Sequence, residues 1–376
     1  MYVYNLLAHW GGTERIWADK MNYLAESNGV EVYCITTNQG NHPMPFKFNH
    51  NVHHIDLGIQ FHLSYRYRGI HKLWEKLNRQ FKFESKLKYL FRTIKPDILI
   101  CSASIYVHTL LRIKGDIPLI AESHEMCSNT CLYEATSIKK KIERLFIIRN
   151  MSKVDRIVSL TEGDAQEWRT INKRVTVIPN VVHLNTNKNV STTEAKKVIF
   201  VGRFAKQKGL PSLLEIWDRV HERHDDWQLN IYGEGELKDW LLEEIEKNHN
   251  KCNIYVHEPT DHVFDKYCES SIFILTSDYE PFGLVIPEAM SCGLPVIAFD
   301  CKYGPADIIT DGKDGWLIAE GDINGFADKI CRLIERPEER MEMGHNGIAS
   351  VERYKASVIM PLWMDLFNSI KKERTK

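Results

Sequence analysis

The stretch Ser271-Ile-Phe-Ile-Leu-Thr-Ser-Asp-Tyr-Glu280-Pro-Phe-Gly-Leu-Val-Ile-Pro-Glu288-Ala-Met-Ser-Cys-Gly293 holds a whole structural unit. Its apolar run from Ile272 to Thr276 reads as a buried strand, bounded by turn residues. Pro281 and Gly283 then hold a loop. Pro287 suits the first turn of a helix, where its missing N–H costs nothing, and Gly293 suits the stop beyond the last turn. A strand leading through a short loop into a helix is the repeating unit of a parallel sheet covered by helices.

The same unit recurs on either side. In the first half the strands are expected at 2–7, 30–36, 97–101, 117–121, 155–160 and 175–178. In the second half they are expected at 197–202, 228–233, 253–256, 272–276 and 295–299. A chain of 376 residues exceeds what one hydrophobic core usually organises. Between the two sets of strands lies a polar stretch rich in Asn, Thr, Ser and Lys, which reads as an exposed linker over 184–196. The expectation is therefore an α/β protein of two doubly wound domains, 1–183 and 197–357, with a final helix over 358–376 crossing back to complete the first. The halves share no fixed sequence period, so a solenoid is excluded.

With 43% hydrophobic and 26% charged residues the composition is that of an ordinary soluble protein. The net charge of -1 hides an asymmetry: residues 1–183 hold 25 Lys/Arg against 17 Asp/Glu, and the remainder 24 against 33. Nine cysteines without a paired framework read as reduced thiols. His124, Cys127 and Cys131 approach a zinc-ligand spacing but lack a fourth ligand, so no metal site is assigned. No apolar run reaches the ~18 residues of a membrane span, and no signal-peptide pattern precedes the first strand. A cytoplasmic location is expected.

Open α/β sheets bind ligands outside the carboxyl ends of their strands, so the chemistry is sought there. After the first strand comes His9-Trp-Gly-Gly-Thr-Glu-Arg15, in which Gly11 and Gly12 let backbone approach a ligand at a helix N-terminus. A tight strand-to-helix turn explains the same two glycines equally well. The first strand of the second half ends in Val201-Gly-Arg-Phe-Ala-Lys-Gln-Lys-Gly209, placing Arg203 and Lys208 beside Gly202, where a guanidinium and an ammonium can clamp a diphosphate. The next strand ends in Tyr232-Gly-Glu-Gly235; Gly233 and Gly235 lack the third glycine of the dinucleotide fingerprint, which excludes a nicotinamide cofactor. Glu280 falls on a strand-end loop and Glu288 in a first helical turn, so the two carboxylates come from separate elements. Helix-dipole stabilisation of ~0.3–1 kcal/mol accounts for a first-turn glutamate such as Glu288, but not for Glu280.

Together these motifs resemble the retaining glycosyltransferases of family four, whose E-x7-E motif is matched by Glu280 and Glu288. The resemblance covers nearly the whole chain. It implies the GT-B fold, two facing Rossmann-like domains with a cleft between them, of which the first binds the acceptor and the second a nucleotide sugar. It also implies that Arg203 and Lys208 neutralise the departing diphosphate, that Glu280 contacts the donor sugar, and that Glu288 holds the ribose. The backbone of Phe282, Gly283, Leu284 and Val285 is expected near the diphosphate and sugar. His124, in Glu122-Ser-His-Glu-Met126, stands where related enzymes keep a histidine or acid toward the donor sugar; Glu125 is a weaker candidate, and a purely structural histidine is the alternative. No D-x-D sequence occurs, so no metal is expected to be required. The segment Cys301-Lys-Tyr-Gly-Pro-Ala-Asp307 is similar to a Gly-Pro loop in members that use UDP-activated hexoses or N-acetylhexosamines.

Residues 61–95 hold ten Lys/Arg, two Glu and eight aromatics. From Ile70 the apolar residues follow helical spacing, which reads as two amphipathic helices packed on the sheet, with cations such as Lys82, Lys86 and Lys88 on the outer face. That face suits either solvent or an anionic membrane surface presenting a lipid-linked saccharide, lipopolysaccharide or capsular acceptor. No nucleic-acid motif accompanies the charge. A nucleotide-sugar epimerase of the same fold and a non-catalytic sugar-nucleotide-binding subunit are the alternative readings.

Overall fold

The computed structural model describes residues 1–8, 11–27, 29–134, 136–186, 189–248 and 253–374. His9 and Trp10 of the glycine loop lie outside the described residues. The chain divides into two compact units, one of Met1–Val181 with Ile359–Lys376 and the other of Val182–Val358.

In the first unit seven strands, β1 (Tyr2–Tyr4), β2 (Val32–Thr36), β3 (Val52–Asp56), β4 (Leu99–Ser102), β5 (Leu119–Glu122), β6 (Arg156–Ser159) and β7 (Val175–Val177), form one parallel sheet. Their order is β3-β2-β1-β4-β5-β6-β7. Val3 sits between Ile35 and Cys101, so the direction of winding reverses between β1 and β4. The central strands are short apolar runs because helices cover both of their faces. Trp17 on the helix Gly12–Glu26 and Trp168 on the helix Glu162–Arg169 are wholly buried.

The second unit has β8 (Lys197–Val201), β9 (Gln228–Tyr232), β10 (Ile254–His257), β11 (Ile272–Leu275), β12 (Tyr279–Glu280), β13 (Val296–Phe299), β14 (Lys302–Tyr303) and β15 (Gly315–Ile318). Six of them make a parallel sheet in the order β10-β9-β8-β11-β13-β15, while β12 pairs with β14 in a separate two-stranded ribbon. Here the winding reverses between β8 and β11. Both units are thus doubly wound, Rossmann-like α/β layers.

Several expectations are corrected. β3 was not anticipated because Val-His-His-Ile-Asp is half polar and pairs on one side only, with β2. β15 begins at a glycine, and β12 and β14 have two residues each, too few to show a period. The segment 184–196 is not a free linker. Ser191 and Thr193 are buried, the Ser191 amide donates to the Cys292 carbonyl (2.8 Å), and Arg340 Nε donates to the Thr193 carbonyl (2.9 Å). Its polar side chains and backbone find their partners in the second unit, a pairing that composition cannot reveal.

The two helices expected in the basic segment are one, Gly69–Ile94, preceded by a 3-10 turn over Phe61–Arg66. No glycine or proline interrupts 70–95, and Pro96 follows directly. Twenty-six helical residues span about 39 Å, whereas a four-residue strand spans about 13 Å, so the sheet cannot cover the whole helix. Phe83, Leu87 and Phe91 are buried on the sheet, but Ile70, Leu73, Trp74, Leu77 and Phe81 are 57–79% exposed.

The last helix, Ala356–Arg374, starts two residues earlier than expected and buries Ile359, Met360, Trp363, Leu366 and Ile370. The Trp363 ring lies 3.9 Å from Lys20 Nζ, covering a buried ammonium. Trp363→Ala is expected to destabilise the first unit by about 3–5 kcal/mol, whereas Leu362→Ala beside it, 42% exposed, should cost under about 0.5 kcal/mol. Calorimetric unfolding of both variants checks the difference; equal melting temperatures would refute the role of Trp363.

Candidate functional site

In the second unit the sequence-predicted residues collect at the carboxyl edge, where β8 and β11 diverge. The chain leaving β8 passes Gly202 and Arg203, makes a 3-10 turn over Lys206–Lys208, and reaches Gly209 at φ +60°. A Cβ at Gly209 would stand 2.0 Å from the Thr276 carbonyl oxygen, so only glycine lets this loop lie on the end of β11. Thr276 Oγ1 donates to the Lys208 carbonyl (3.0 Å) and the Asp278 amide to the Gln207 carbonyl (2.8 Å). The backbone of one loop therefore holds the other.

That contact brings Lys208 and Glu280 together. The Lys208 ammonium is ion-paired with Glu280 Oε1, to which Ser277 Oγ also donates (2.8 Å). Both charged side chains are largely buried, which strengthens their attraction over that of a surface pair. Arg203 is 76% exposed, with its Nη2 3.5 Å from Glu236 Oε2.

Gly233 and Gly235 serve loop packing. A Cβ on Gly233 would meet the Gly202 carbonyl oxygen at 1.9 Å, and one on Gly235 the Phe204 carbonyl oxygen at 2.4 Å. Phe204 donates its amide to the Glu234 carbonyl (2.8 Å), so the loops after β8 and β9 are laced backbone to backbone. Glu280 pairs across the ribbon with Tyr303, and Gly304 packs so closely that a Cβ would be 1.9 Å from the Phe282 carbonyl oxygen. The Gly-Pro segment thus lies against the loop that follows Glu280. Phe282 itself points inward, its ring 5.4 Å from that of Tyr354. Gly283, at φ +88°, turns the chain into the helix Val285–Ser291 through Leu284, and Glu288 is buried in the first turn of that helix.

In the first unit Gly11 caps the helix Gly12–Glu26, and the Glu14 carboxylate folds back over the same turn, 2.3 Å from where a Gly11 Cβ would be. His124 follows β5 with only 6% of its side chain exposed. Its Nε2 lies 3.0 Å from Glu122 Oε2 and 2.6 Å from Trp17 Nε1, so it either donates to the carboxylate or accepts from the indole. Glu122 Oε1 is ion-paired with the buried Lys20. Burial pushes the Glu122 carboxyl up, but Lys20 and His124 outweigh it and hold the group below its usual range. Cys127 and Cys131 are buried apart from this network, and among the described residues no cluster of three or more His, Cys, Asp or Glu could hold a metal ion.

Ser277 escaped sequence reasoning although it stands inside a stretch that drew attention, whereas Gly304 belongs to the Gly-Pro segment already singled out. Lys20, Trp17 and Glu122 also escaped sequence reasoning. About a hundred residues separate the first two from His124 and Glu122, so no local spacing could connect them. Gly233→Ala is expected to cost the second unit on the order of 1–3 kcal/mol, since the obstacle is backbone. An unchanged urea midpoint would show that the two loops part freely.

Comparison with known proteins agrees with this architecture. Residues 10–186 match the sequence model of Glycosyltransferase Family 4, and residues 183–350 that of Glycosyl transferases group 1. The chain is 33% identical over 242 residues to the poly(ribitol-phosphate) alpha-N-acetylglucosaminyltransferase of Staphylococcus aureus, covering 63% of this chain but only 48% of the relative. It is 29% identical to the amylovoran biosynthesis glycosyltransferase AmsD of Erwinia amylovora, over 77% of this chain and 82% of that one. Among solved structures, the sucrose-phosphate synthase of Thermosynechococcus elongatus superposes with a TM-score of 0.76 at 19% identity, over 98% of this chain and 99% of that one. Two adjoining family matches and two doubly wound units together make the chain one of the GT-B, family 4 glycosyltransferase type.

Proposed function

We propose that the chain transfers a hexose or N-acetylhexosamine, with retention and without a metal, from a UDP-sugar to a saccharide acceptor of a bacterial surface polymer or lipid-linked precursor. The observation that carries this reading is the Lys208–Glu280 pair set across the reversal between β8 and β11, with Arg203 on the same loop. An α-N-acetylglucosaminyl relative and an amylovoran-biosynthesis relative support the substrate class, and the Gly-Pro segment beside the loop after Glu280 supports the UDP-sugar.

In this reaction the bond between the anomeric carbon and the diphosphate oxygen breaks, and its electron pair leaves with the diphosphate. Positive charge develops on the sugar ring. Arg203 and Lys208 stabilise the departing anion, and electrostatic stabilisation of this kind is usually the largest contribution to rate. Glu280, released from Lys208 as that ammonium turns to the diphosphate, accepts hydrogen bonds from the sugar hydroxyls. The acceptor hydroxyl attacks from the face the diphosphate leaves, its proton passing to a diphosphate oxygen, so no separate base is needed. Glu288 accepts from the ribose hydroxyls. Gly283 lets the backbone of Phe282, Leu284 and Val285 approach the diphosphate, while Gly202, Gly233 and Gly235 shape the neighbouring loops. In the first unit Gly11 and Gly12 open the helix Gly12–Glu26, and His124 is fixed by Glu122 and Trp17.

The exposed face of Gly69–Ile94 extends the proposal to peripheral association with an anionic membrane. Ile70, Leu73, Trp74 and Leu77 stand at i, i+3, i+4 and i+7, with Arg66, Arg68, Lys72 and Lys76 around them, a pattern suited to lying in a lipid interface. Lys86 is not part of this surface, since its ammonium donates to the Leu57 carbonyl (2.5 Å). No helix among the described residues is long and apolar enough to cross a membrane.

UDP-N-acetylglucosamine or UDP-glucose should raise the melting temperature of the chain, and turnover should persist in EDTA. Glu280→Gln is expected to lower kcat by about 10²–10³, and Glu288→Gln to raise the donor KM about tenfold. Absence of any thermal shift with UDP-, GDP- or ADP-sugars would sink the transferase reading, and conversion of the donor without acceptor would replace it by an epimerase. For the membrane face, the chain should sediment with phosphatidylglycerol vesicles at low salt, and Trp74→Ala with Leu77→Ala should release it. Equal sedimentation of the variant, or a salt-stable dimer formed through this helix, would defeat that assignment.

A further inference from the structure

Two groups compete for one nitrogen of His124. Trp17 Nε1 lies 2.6 Å from His124 Nε2 as a donor, and Glu122 Oε2 lies 3.0 Å from it as an acceptor. A ring nitrogen cannot accept from the first and donate to the second at once, so the place of the ring proton decides which contact is a hydrogen bond. It also decides the character of Nδ1. That nitrogen takes no hydrogen bond among the described residues and is the one left to a ligand.

Lys20 tips the balance. It reaches Glu122 from the helix Gly12–Glu26, 102 positions away, and its ammonium is ion-paired with Oε1, the oxygen that His124 does not use. The rings of Trp363 and Tyr2 stand 3.9 Å and 5.4 Å from that ammonium, so aromatic faces rather than water complete its shell. Burial by itself pushes the Glu122 carboxyl up, and Lys20 is the chief of the groups that pull it down and keep it ionised.

An ionised carboxylate accepts a charge-assisted hydrogen bond, roughly twice as strong as one between neutral groups such as indole and imidazole. With Glu122 ionised, the ring proton therefore belongs on Nε2 and Nδ1 is bare. Without the ammonium, the buried carboxyl would hold a proton and donate it to Nε2, or pass it fully to the ring. In both cases Nδ1 carries a hydrogen. The loop itself does not rely on this pair: the Ser123 amide donates to the Val158 carbonyl (2.8 Å), and Asp164 accepts from Ser123 Oγ (3.1 Å) and the Cys127 amide (2.6 Å). Loss of the Lys20 charge thus moves the proton and leaves the backbone in place.

We infer that Lys20 is a positioning residue for His124: through Glu122 it selects the tautomer with hydrogen on Nε2, so that Nδ1 presents an acceptor to a substrate hydroxyl rather than a donor. The hydroxyl rests on the transferase reading above; the place of the proton is a property of the chain without substrate.

Nitrogen-15 NMR of the full chain labelled at histidine, with His124→Gln assigning the signal, reads the tautomer without turnover. The native ring should show a bare Nδ1 and a protonated Nε2, and Lys20→Met should show a protonated Nδ1. Glu122→Gln should do the same, because its amide group donates to Nε2 while its carbonyl accepts from Lys20, and it serves should Lys20→Met fold poorly. A protonated Nδ1 in the native chain, or the native pattern kept in both variants, overturns the inference. In turnover, Lys20→Met should lower kcat about tenfold, and should cost nothing further where His124 is already alanine. An equal loss in both backgrounds would show a scaffold role and overturn the positioning role. If no nucleotide sugar is turned over at all, the transferase reading falls while the tautomer measurement still decides the place of the proton.

Discussion

A parallel strand covered by helices on both faces has no free surface except its two ends. Its backbone donors and acceptors are spent in the ladder, and its side chains are spent in packing. All the polar chemistry of this chain obeys that constraint. Arg203, Lys208, Glu280, Glu122 and His124 each lie at or just beyond a strand's carboxyl end. The reversal of winding between β8 and β11 spreads the loops at that point, and glycines then decide how closely they settle. Gly209 admits the Thr276 carbonyl, Gly233 the Gly202 carbonyl and Gly304 the Phe282 carbonyl. Side chains at any of these positions would push apart the loops that bring Lys208 to Glu280.

Buried charge is the second theme. A buried ion pair is costly to desolvate and gains its place only when its remaining hydrogen-bonding capacity is filled. Glu280 meets this requirement with Lys208 and Ser277, and Glu122 meets it with Lys20 and His124. The two networks differ in what surrounds them. Lys20 is covered by Trp363 and is 3% exposed, so that pair is a fixed part of the first unit's interior. Lys208 sits at the rim, beside an arginine that remains mostly in solvent. The pair at the rim is within reach of solvent, whereas the pair under Trp363 is shut off from it and holds a neighbour in place.

Length mismatch governs the basic segment. A helix of 26 residues laid on strands of three to five must overhang, and the overhanging half leaves its apolar stripe exposed among the described residues. The shorter helix Ile138–Met151 divides its faces similarly, with polar and aromatic groups toward a cavity and aliphatic groups toward solvent. Both helices therefore offer surfaces whose use lies outside the unit's own core.

The sequence alone determined the α/β alternation, the two doubly wound units, the returning last helix and the strand ends at which Arg203, Lys208, Glu280 and Glu288 stand. These are legible because hydrophobic period, proline and glycine act within a few residues of themselves. The strands Val52–Asp56 and Gly315–Ile318 were not legible, since edge strands need only one partner and tolerate polar or glycine-led sequence. Nor was the packing of 184–196, whose buried serine and threonine find their partners 100 to 150 residues away. The tertiary structure alone decided that Lys208 holds Glu280, that Lys20 and Trp17 reach Glu122 and His124, and that Ile70 through Phe81 stay uncovered. Such pairings join residues 72 to 107 positions apart, and which face of a helix meets the sheet depends on where the sheet ends, which only the folded chain fixes.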